Sequence, residues 1–183
     1  MLFISRERQS DISAVRKVNE RAFKGPMEAR LVDLLREANK ATISLVAKFD
    51  NRVVGHILFS PITIESNPKN MRGLGLAPLA VLPEYQRRGI GSTLVTKGLE
   101  ECRKKRFEIV VVLGDVRYYA RFGFKPARLY GLSNEYNADE NFMVLELKEG
   151  ALNSVSGLVK YQPEFEEAEA WLKSNVWVRG MEL

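Results

Sequence analysis

The sequence predicts an α/β domain of the α+β kind, a mixed sheet with helices on both faces. Three observations predict it. Helical and strand patterns follow one another in the order helices, hairpin, strand, helix, strand, helix, strand. The run EIVVVLG at 108–114 is nearly continuous in apolar residues, as in a strand buried on both faces. The 183 residues, 45% hydrophobic and 28% charged, suffice for one sizeable core.

Taken in order, Asp11 to Phe23 places Ile12, Val15, Val18 and Phe23 at roughly helical spacing, with Ser10 or Asp11 able to cap the helix. Gly25-Pro26 breaks it. A second helical pattern runs through Ala29, Leu31, Leu34, Leu35 and Ala38. The apolar runs ISLVAKF and VVGHILFSPITI are joined by Asp50-Asn51 and read as an antiparallel hairpin. Leu74 to Val81 is a third strand, ending at Pro83. Residues 90–106 form the clearest helix, with Ile90, Leu94, Val95, Leu99 and Cys102 on one side and Lys97, Glu100, Arg103 and Lys104 on the other. A short helix from Val116 to Phe122 stops at Gly123, and FMVLELK is further strand. From Ala151 the composition changes. NSVSG reads as a linker and PEFEEAEAWLK as a short acidic helix, with Trp171 and Trp177 expected to pack it back. The expected organisation is a domain over 1–150 and a C-terminal extension over 151–183 packing on it.

A formal net charge of +5 biases encounters toward anions. The most basic run, Arg103-Lys104-Lys105-Arg106, closes the 90–106 helix, where cations suit the macrodipole. The chain lacks the interleaved aromatic and basic residues of an RNA-binding strand, so no nucleic-acid partner is expected. Cys102 is the single cysteine, which excludes an intrachain disulfide and fits a reducing compartment. MLFISRERQSDIS has no apolar run of signal-peptide length, and no stretch approaches the roughly 20 apolar residues of a membrane span. The expectation is a cytoplasmic protein with no membrane partner and no metal.

The most informative stretch is PEYQRRGIGS at 83–92. It lies where the strand LAPLAV ends and a helix begins, so backbone N–H groups are left over at the positive end of a helix dipole. Gly89 and Gly91 lack side chains, Arg87 and Arg88 bring charge, and Ser92 adds a hydroxyl. A pyrophosphate matches this chemistry, although glycines at such a turn also serve sterics alone. A dinucleotide fingerprint would need a third glycine at Leu94, and a P-loop would need Gly-Lys followed by Ser or Thr; neither is present.

Gln86-Arg87-Arg88-Gly89-Ile90-Gly91, preceded by LAVLPEY, resembles the Gln/Arg-x-x-Gly-x-Gly/Ala acyl-CoA-binding motif of the GNAT superfamily of N-acetyltransferases. YARFGF places Tyr119 four residues before Gly123-Phe124, which is similar to the family's tyrosine on the short helix after the fifth strand. The pattern covers about Leu76 to Pro126. VVVLGDVRYYARFGFKPA most resembles a bacterial and archaeal branch of predicted acetyltransferases of unassigned substrate.

The resemblance implies the acyl-CoA N-acyltransferase (GNAT) fold, a V-splayed mixed sheet with acetyl-CoA in the splay and no metal. It implies transfer of the acetyl group to a primary amine of a small molecule or protein, by direct attack in a ternary complex. The pantetheine arm would pair with Leu79, Ala80 and Val81, and the segment from Gln86 through Arg87, Arg88, Gly89, Ile90 and Gly91 to Ser92 would hold the pyrophosphate. A backbone N–H near Ala80 or Val81 would face the oxyanion. Tyr119, favoured over its neighbour Tyr118, would be the general acid. Many family members carry a carboxylate on the strand entering the motif, but GLGLAPLAV has no ionisable residue. Glu28, His56 or a water relay are the alternatives for the base, as is an amine that arrives neutral. His56 also suits a core position. Asp115 reads as the N-cap of its helix, and Cys102 as core rather than an acetyl carrier. The second reading is a non-catalytic acyl-CoA-binding sensor or interaction domain. Residues 21–36 and the loop 131–140 would shape the acceptor pocket, and the sequence is compatible with a homodimer.

Overall fold

The computed structural model describes residues 1–181, with the side chains of 154 and 175–181 outside the described set. Two units make up the chain. The first holds Met1–Leu58, Pro78–Leu94 and Gln162–Leu183; the second holds Phe59–Ala77 and Val95–Tyr161. Three elements run from one unit into the other: β3 (Arg52–Pro61), β5 (Gly73–Val81) and α3 (Ile90–Lys104).

In the first unit, β1 (Leu2–Arg6) lies antiparallel to β2 (Ile43–Phe49), with Leu2 opposite Phe49 and Arg6 opposite Leu45. The strand order is β1-β2-β3-β5. Asp50 and Asn51 form the expected two-residue hairpin turn, with φ of 46° and 64°. Both central residues of this tight turn need positive φ, which Asp and Asn tolerate better than other side chains. The apolar stripes of α1 (Ile12–Phe23) and α2 (Met27–Glu37) bury Val15, Val18, Ala29, Val32 and Leu35, matching a core side of β2 and β3 that includes Val46, Val54 and Leu58. The two helices pack on each other, and α5 (Glu164–Met181) packs on α2, with Lys40 Nζ bonded to Glu164 Oε1 at 2.8 Å. Trp171 on α5 is half-buried. The packing expected of Trp177 lies outside the described residues.

In the second unit, β5 runs parallel to β6 (Ile109–Leu113), with Gly73 to Gly75 beside Ile109 to Val111. β6 is antiparallel to β9 (Phe142–Glu146) over its whole length, and β7 (Lys125–Pro126) closes the order β5-β6-β9-β7. As its run of valines requires, β6 is buried from Ile109 to Val112. A smaller sheet has the order β4-β10-β8, from β4 (Thr63–Ser66), β8 (Leu132–Asn134) and β10 (Ser156–Lys160). α4 (Val116–Ala120) follows β6. The described residues thus form mixed sheets with helices, the α+β arrangement expected.

Two local expectations change. VVGHILFSPITI is two strands, because β3 stops at Pro61, which has no N–H to give a ladder, and β4 starts at Thr63 in the other sheet. NSVSG is not a linker: residues Ala151–Ser154 make a 3-10 turn and the chain enters β10, the middle strand of its sheet.

β5 has little room around its glycines. A Cβ added at Gly75 would lie 2.6 Å from Cε1 of Tyr161. Gly75→Ala is expected to destabilise the protein by about 1–3 kcal/mol through overpacking. Gly25→Ala, whose added carbon meets nothing nearer than 4.0 Å, is expected to stay within about 0.5 kcal/mol of wild type. Urea unfolding of the two variants decides; equal midpoints would remove the close-approach argument.

Candidate active site

β5 ends at Val81, and the chain passes through a 3-10 turn (Pro83–Tyr85) and the 86–89 loop into α3. The Leu82 N–H donates to the Val54 carbonyl at 2.9 Å. The Val81 carbonyl, in the same trans peptide, therefore points the other way, where the Gln86 side-chain Nε2 donates to it at 3.0 Å. A strand residue sends its N–H and C=O to the same side, so the Val81 N–H is also aimed away from β3. Of the two amides in question, Ala80 and Val81, alternation aims that of Val81 away from β3 and that of Ala80 toward it. Leu79 and Val81 are half-buried, and Ala80 is buried.

The turn itself combines two left-handed residues, Arg87 at φ 59° and Gly89 at φ 80°. A Cβ at Gly89 would meet no heavy atom within 4 Å, so the start of α3 presents bare backbone. The Gly89 carbonyl accepts from Thr93 N at 2.9 Å and Thr93 Oγ1 at 3.0 Å, which makes Gly89 the first residue of the helical ladder. Amides of the first helical turn stand at the positive end of the dipole, an arrangement suited to phosphate. Arg88 lies over the Tyr85 ring, 5.4 Å from its centroid. Glu84, the nearest acid in sequence, is gripped by Arg21 at 2.9 and 3.1 Å and approached by Arg52 at 3.5 Å, so its charge is already answered.

The two candidate bases differ sharply. Glu28, in the first turn of α2, is half-buried, and that burial raises its pKa above the ordinary carboxylate range against an opposing backbone hydrogen bond. Glu20, Asp33 and Glu37 on α1 and α2 all pair with arginines. Glu28 makes no ion pair among the described residues.

His56 is 0% exposed. Asn19 Nδ2 donates to its Nδ1 at 3.1 Å, so the ring proton sits on Nε2 and is given to Ser44 Oγ at 2.9 Å. Ser44 in turn donates to Glu7 Oε2 at 2.5 Å, and Glu7 accepts from Arg36 at 2.6 Å. Burial first, and the Arg36 charge second, push the imidazole pKa down to about 3. Both ring nitrogens are engaged, leaving no lone pair for a substrate amine. Nothing local in the sequence announced these partners, since Asn19 and Ser44 lie 37 and 12 residues away.

Tyr119 belongs to the second unit. Asp115 caps α4 as expected, accepting from Tyr118 N at 2.7 Å. The cap fixes which tyrosine turns inward: Tyr119 is 8% exposed and Tyr118 is half-buried. The Tyr119 ring packs where a Cβ on Gly114 would be, 2.5 Å from Cε2, and meets Phe124 edge-on at 5.6 Å. Burial, then the neighbouring Tyr118, raises its pKa well above that of a free phenol. Cys102 is fully buried, and burial pushes its thiol up to about 12, the opposite of an activated nucleophile. The described residues include no group of histidine, cysteine and carboxylate side chains able to hold a metal, and no helix among them is long and apolar enough to cross a membrane.

Comparison with known proteins agrees with this geometry. Residues 12–124 match the model of the acetyltransferase (GNAT) family. The chain is 36% identical over 157 residues to the uncharacterized N-acetyltransferase YhbS of Escherichia coli (strain K12), covering 85% of this chain and 93% of that protein. The crystal structure of Escherichia coli YhbS in complex with CoA superposes with a TM-score of 0.86 at 35% identity, over 90% of this chain and 92% of the other. A GNAT family acetyltransferase from Brucella melitensis, solved with acetyl-CoA, gives a TM-score of 0.75 at 36% identity, covering 90% of this chain and 98% of that one.

The buried His56 makes stability depend on pH. Its folded pKa of about 3 lies below the 6.5 of the free side chain. Between those values the unfolded chain binds a proton that the folded chain refuses, so stability falls as pH drops through the window. The contribution approaches about 1.4 kcal/mol per pH unit. Urea midpoints from pH 7 to pH 4 should fall more steeply for wild type than for His56→Leu. Equal slopes would mean that the ring is not held neutral.

Proposed function

The chain belongs to the GNAT acetyltransferase family, and we propose that it is an acetyl-CoA-dependent N-acetyltransferase. It carries the acetyl group to a primary amine of a small molecule or a protein, by direct attack in a ternary complex. The observation that carries this reading is the junction at Val81: a strand amide aimed away from β3, followed by a bare left-handed glycine at a helix start. The CoA and acetyl-CoA complexes of the two similar structures support the choice of donor. We place the enzyme in the cytoplasm. We take 1–150 as the catalytic domain and 151–183 as an extension that packs back on it, with β10 entering between β4 and β8 and α5 lying on α2.

When bound, acetyl-CoA supplies an acyl thioester and a pyrophosphate by which it can be held. In the proposed assignment the amides from Arg87 through Ser92 receive the pyrophosphate, with Arg87 or Arg88 adding charge. Leu79 to Val81 offer backbone groups to the pantetheine amides. Val81 N–H donates to the acyl oxygen as negative charge gathers there, usually the largest catalytic effect. Gln86 anchors the adjoining Val81–Leu82 peptide through its carbonyl. Glu28 takes the proton from the attacking amine; its raised pKa makes it a better acceptor than an ordinary carboxylate. Tyr119 Oη holds its proton toward the departing sulfur. Its reference pKa of about 10 already exceeds the thiol's ~8.5, and burial widens the gap, so donating a hydrogen bond outweighs complete transfer. His56 is assigned to the core.

A non-catalytic acyl-CoA sensor is the second reading, favoured by the absence of any carboxylate on β5. The variants separate the two. Gly91→Glu puts a carboxylate in the first turn of α3, where it suits the helix but opposes a pyrophosphate. Calorimetry should show acetyl-CoA binding by wild type and none by this variant, with unchanged circular dichroism. Glu28→Gln should lower kcat for amine acetylation by about 100-fold or more, and Tyr119→Phe by about 100-fold, both with donor affinity retained. Binding without turnover by wild type, over a broad panel of amines, would support the sensor. No binding by folded wild type would sink both readings.

A further inference from the structure

The basic run at 103–106 does not simply close a helix. α3 ends at Lys104, and a left-handed residue, Arg106 at φ 59°, turns the chain back through two bonds: Phe107 N to Cys102 O at 3.0 Å and Arg106 N to Arg103 O at 2.9 Å. Dipole compensation accounts for Arg103 and Lys104, and Lys104 is paired with Glu101 at 2.7 Å. It does not account for the cations that other elements bring to the same place. Arg72, just before β5, and Lys148, just after β9, line one cavity of about 570 Å³ together with Arg103, Arg106, Phe107 and Glu108.

The cavity is organised around its one lining carboxylate. Glu108 accepts from Lys148 Nζ at 2.8 Å and from the Arg72 backbone N–H at 3.2 Å, contacts that hold its pKa below the ordinary carboxylate range. Arg72 is fixed independently. Its guanidinium lies over the Phe107 ring, 4.3 Å from the centroid, and its Nη1 donates to the Lys105 carbonyl at 3.3 Å. That bond also occupies a carbonyl at the negative end of the helix, which would otherwise repel an anion. Arg103 and Arg106 make no ion pair among the described residues. Four cations against one carboxylate leave an excess of three positive charges around a concave space of ligand size.

We propose that this cavity at the C-terminal end of α3 binds the phosphate group of a small phosphorylated molecule, at a second site separate from the Gly89 turn. Arg103 and Arg106 supply the free guanidinium donors, and Arg72 is the preorganised wall. Arginine suits this task because its planar fork meets two phosphate oxygens at once. A concave site with one buried aromatic, covered by arginine, favours a small ligand over an extended nucleic-acid strand, which needs successive exposed rings for its bases.

Equilibrium binding of AMP, ribose 5-phosphate and inorganic phosphate tests the proposal, with adenosine and a short single-stranded RNA as comparisons. Wild type should bind both phosphate esters, inorganic phosphate should displace them, and adenosine should not bind. Arg103→Ala/Arg106→Ala, which changes only exposed side chains, should weaken the esters at least about tenfold. Gly91→Glu should leave that binding unchanged, whether or not the turn at Gly89 holds acetyl-CoA. Three results would overturn the proposal: no binding by wild type, binding insensitive to the arginine pair, or loss of binding in Gly91→Glu. RNA bound more tightly than either ester and lost in the arginine variant would reassign the surface to nucleic acid.

Discussion

The peptide joining Val81 to Leu82 is held at both polar ends, and the proposed catalytic junction depends on it. On one side its N–H is given to Val54; on the other its carbonyl takes the Gln86 amide. The Val81 N–H belongs to the preceding peptide, and anchoring the one that follows limits rotation at Val81, so the amide stays aimed away from β3 before any substrate arrives, which is the preorganisation that electrostatic catalysis requires. The same region needs a small residue beside it. A Cβ at Gly55 would lie 3.0 Å from Leu94 Cδ1 and 3.3 Å from the Ala80 carbonyl. Gly55 therefore lets the first turns of α3 come down onto the strands, and strand end and helix start are positioned by one close contact.

A second constraint operates around His56. A neutral imidazole in the core costs little provided both nitrogens are served, and Asn19 and Ser44 serve them. Ser44 passes the chain of donors to Glu7, and the Arg36 guanidinium bridges Glu7 to Asp33. The network ties α1, α2, β2, β3 and the residue that follows β1 into one polar seam, so His56 registers the elements on one another. Glu28 stands outside that seam. Where every other acid of α1 and α2 has been neutralised by arginine, a half-buried carboxylate without a counter-ion retains affinity for a proton. Burial gives the two residues opposite chemistry: it silences the base that must be charged to bind a proton, and strengthens the one that becomes neutral on binding it.

Elements whose signal is local were legible in the sequence. α1, α2 and α3 follow the helical period, Asp50-Asn51 makes its turn from residue types alone, and β6 declares double burial by its valines. The glycine turn and Tyr119 were legible as a spaced pattern. What escaped was set by partners distant in sequence. β1 is a strand because β2 lies beside it, and β8 and β10 exist through each other. The role of Gln86 is invisible without the carbonyl it reaches, and the choice between core and base for the single histidine stayed open in the sequence because its partners lie on other elements. The basic run was half legible: its helical part could be assigned to the dipole, but Arg72, about thirty residues earlier, could not be placed against it.

The two ends of α3 show how one helix imposes different requirements on anion binding. At its start, the leftover amides and the dipole already favour negative charge, so backbone suffices and the sequence can spend the position on a glycine. At its end the dipole opposes an anion, with partial negative charge on the last carbonyls. Any site there must first answer the carbonyls and then supply full side-chain charges. Arg72 does the first through Lys105, while Arg103 and Arg106 remain for the second. Side chains are dispensable at one end of the helix and indispensable at the other, which is why the glycines gather at 89–91 and the arginines at 103–106.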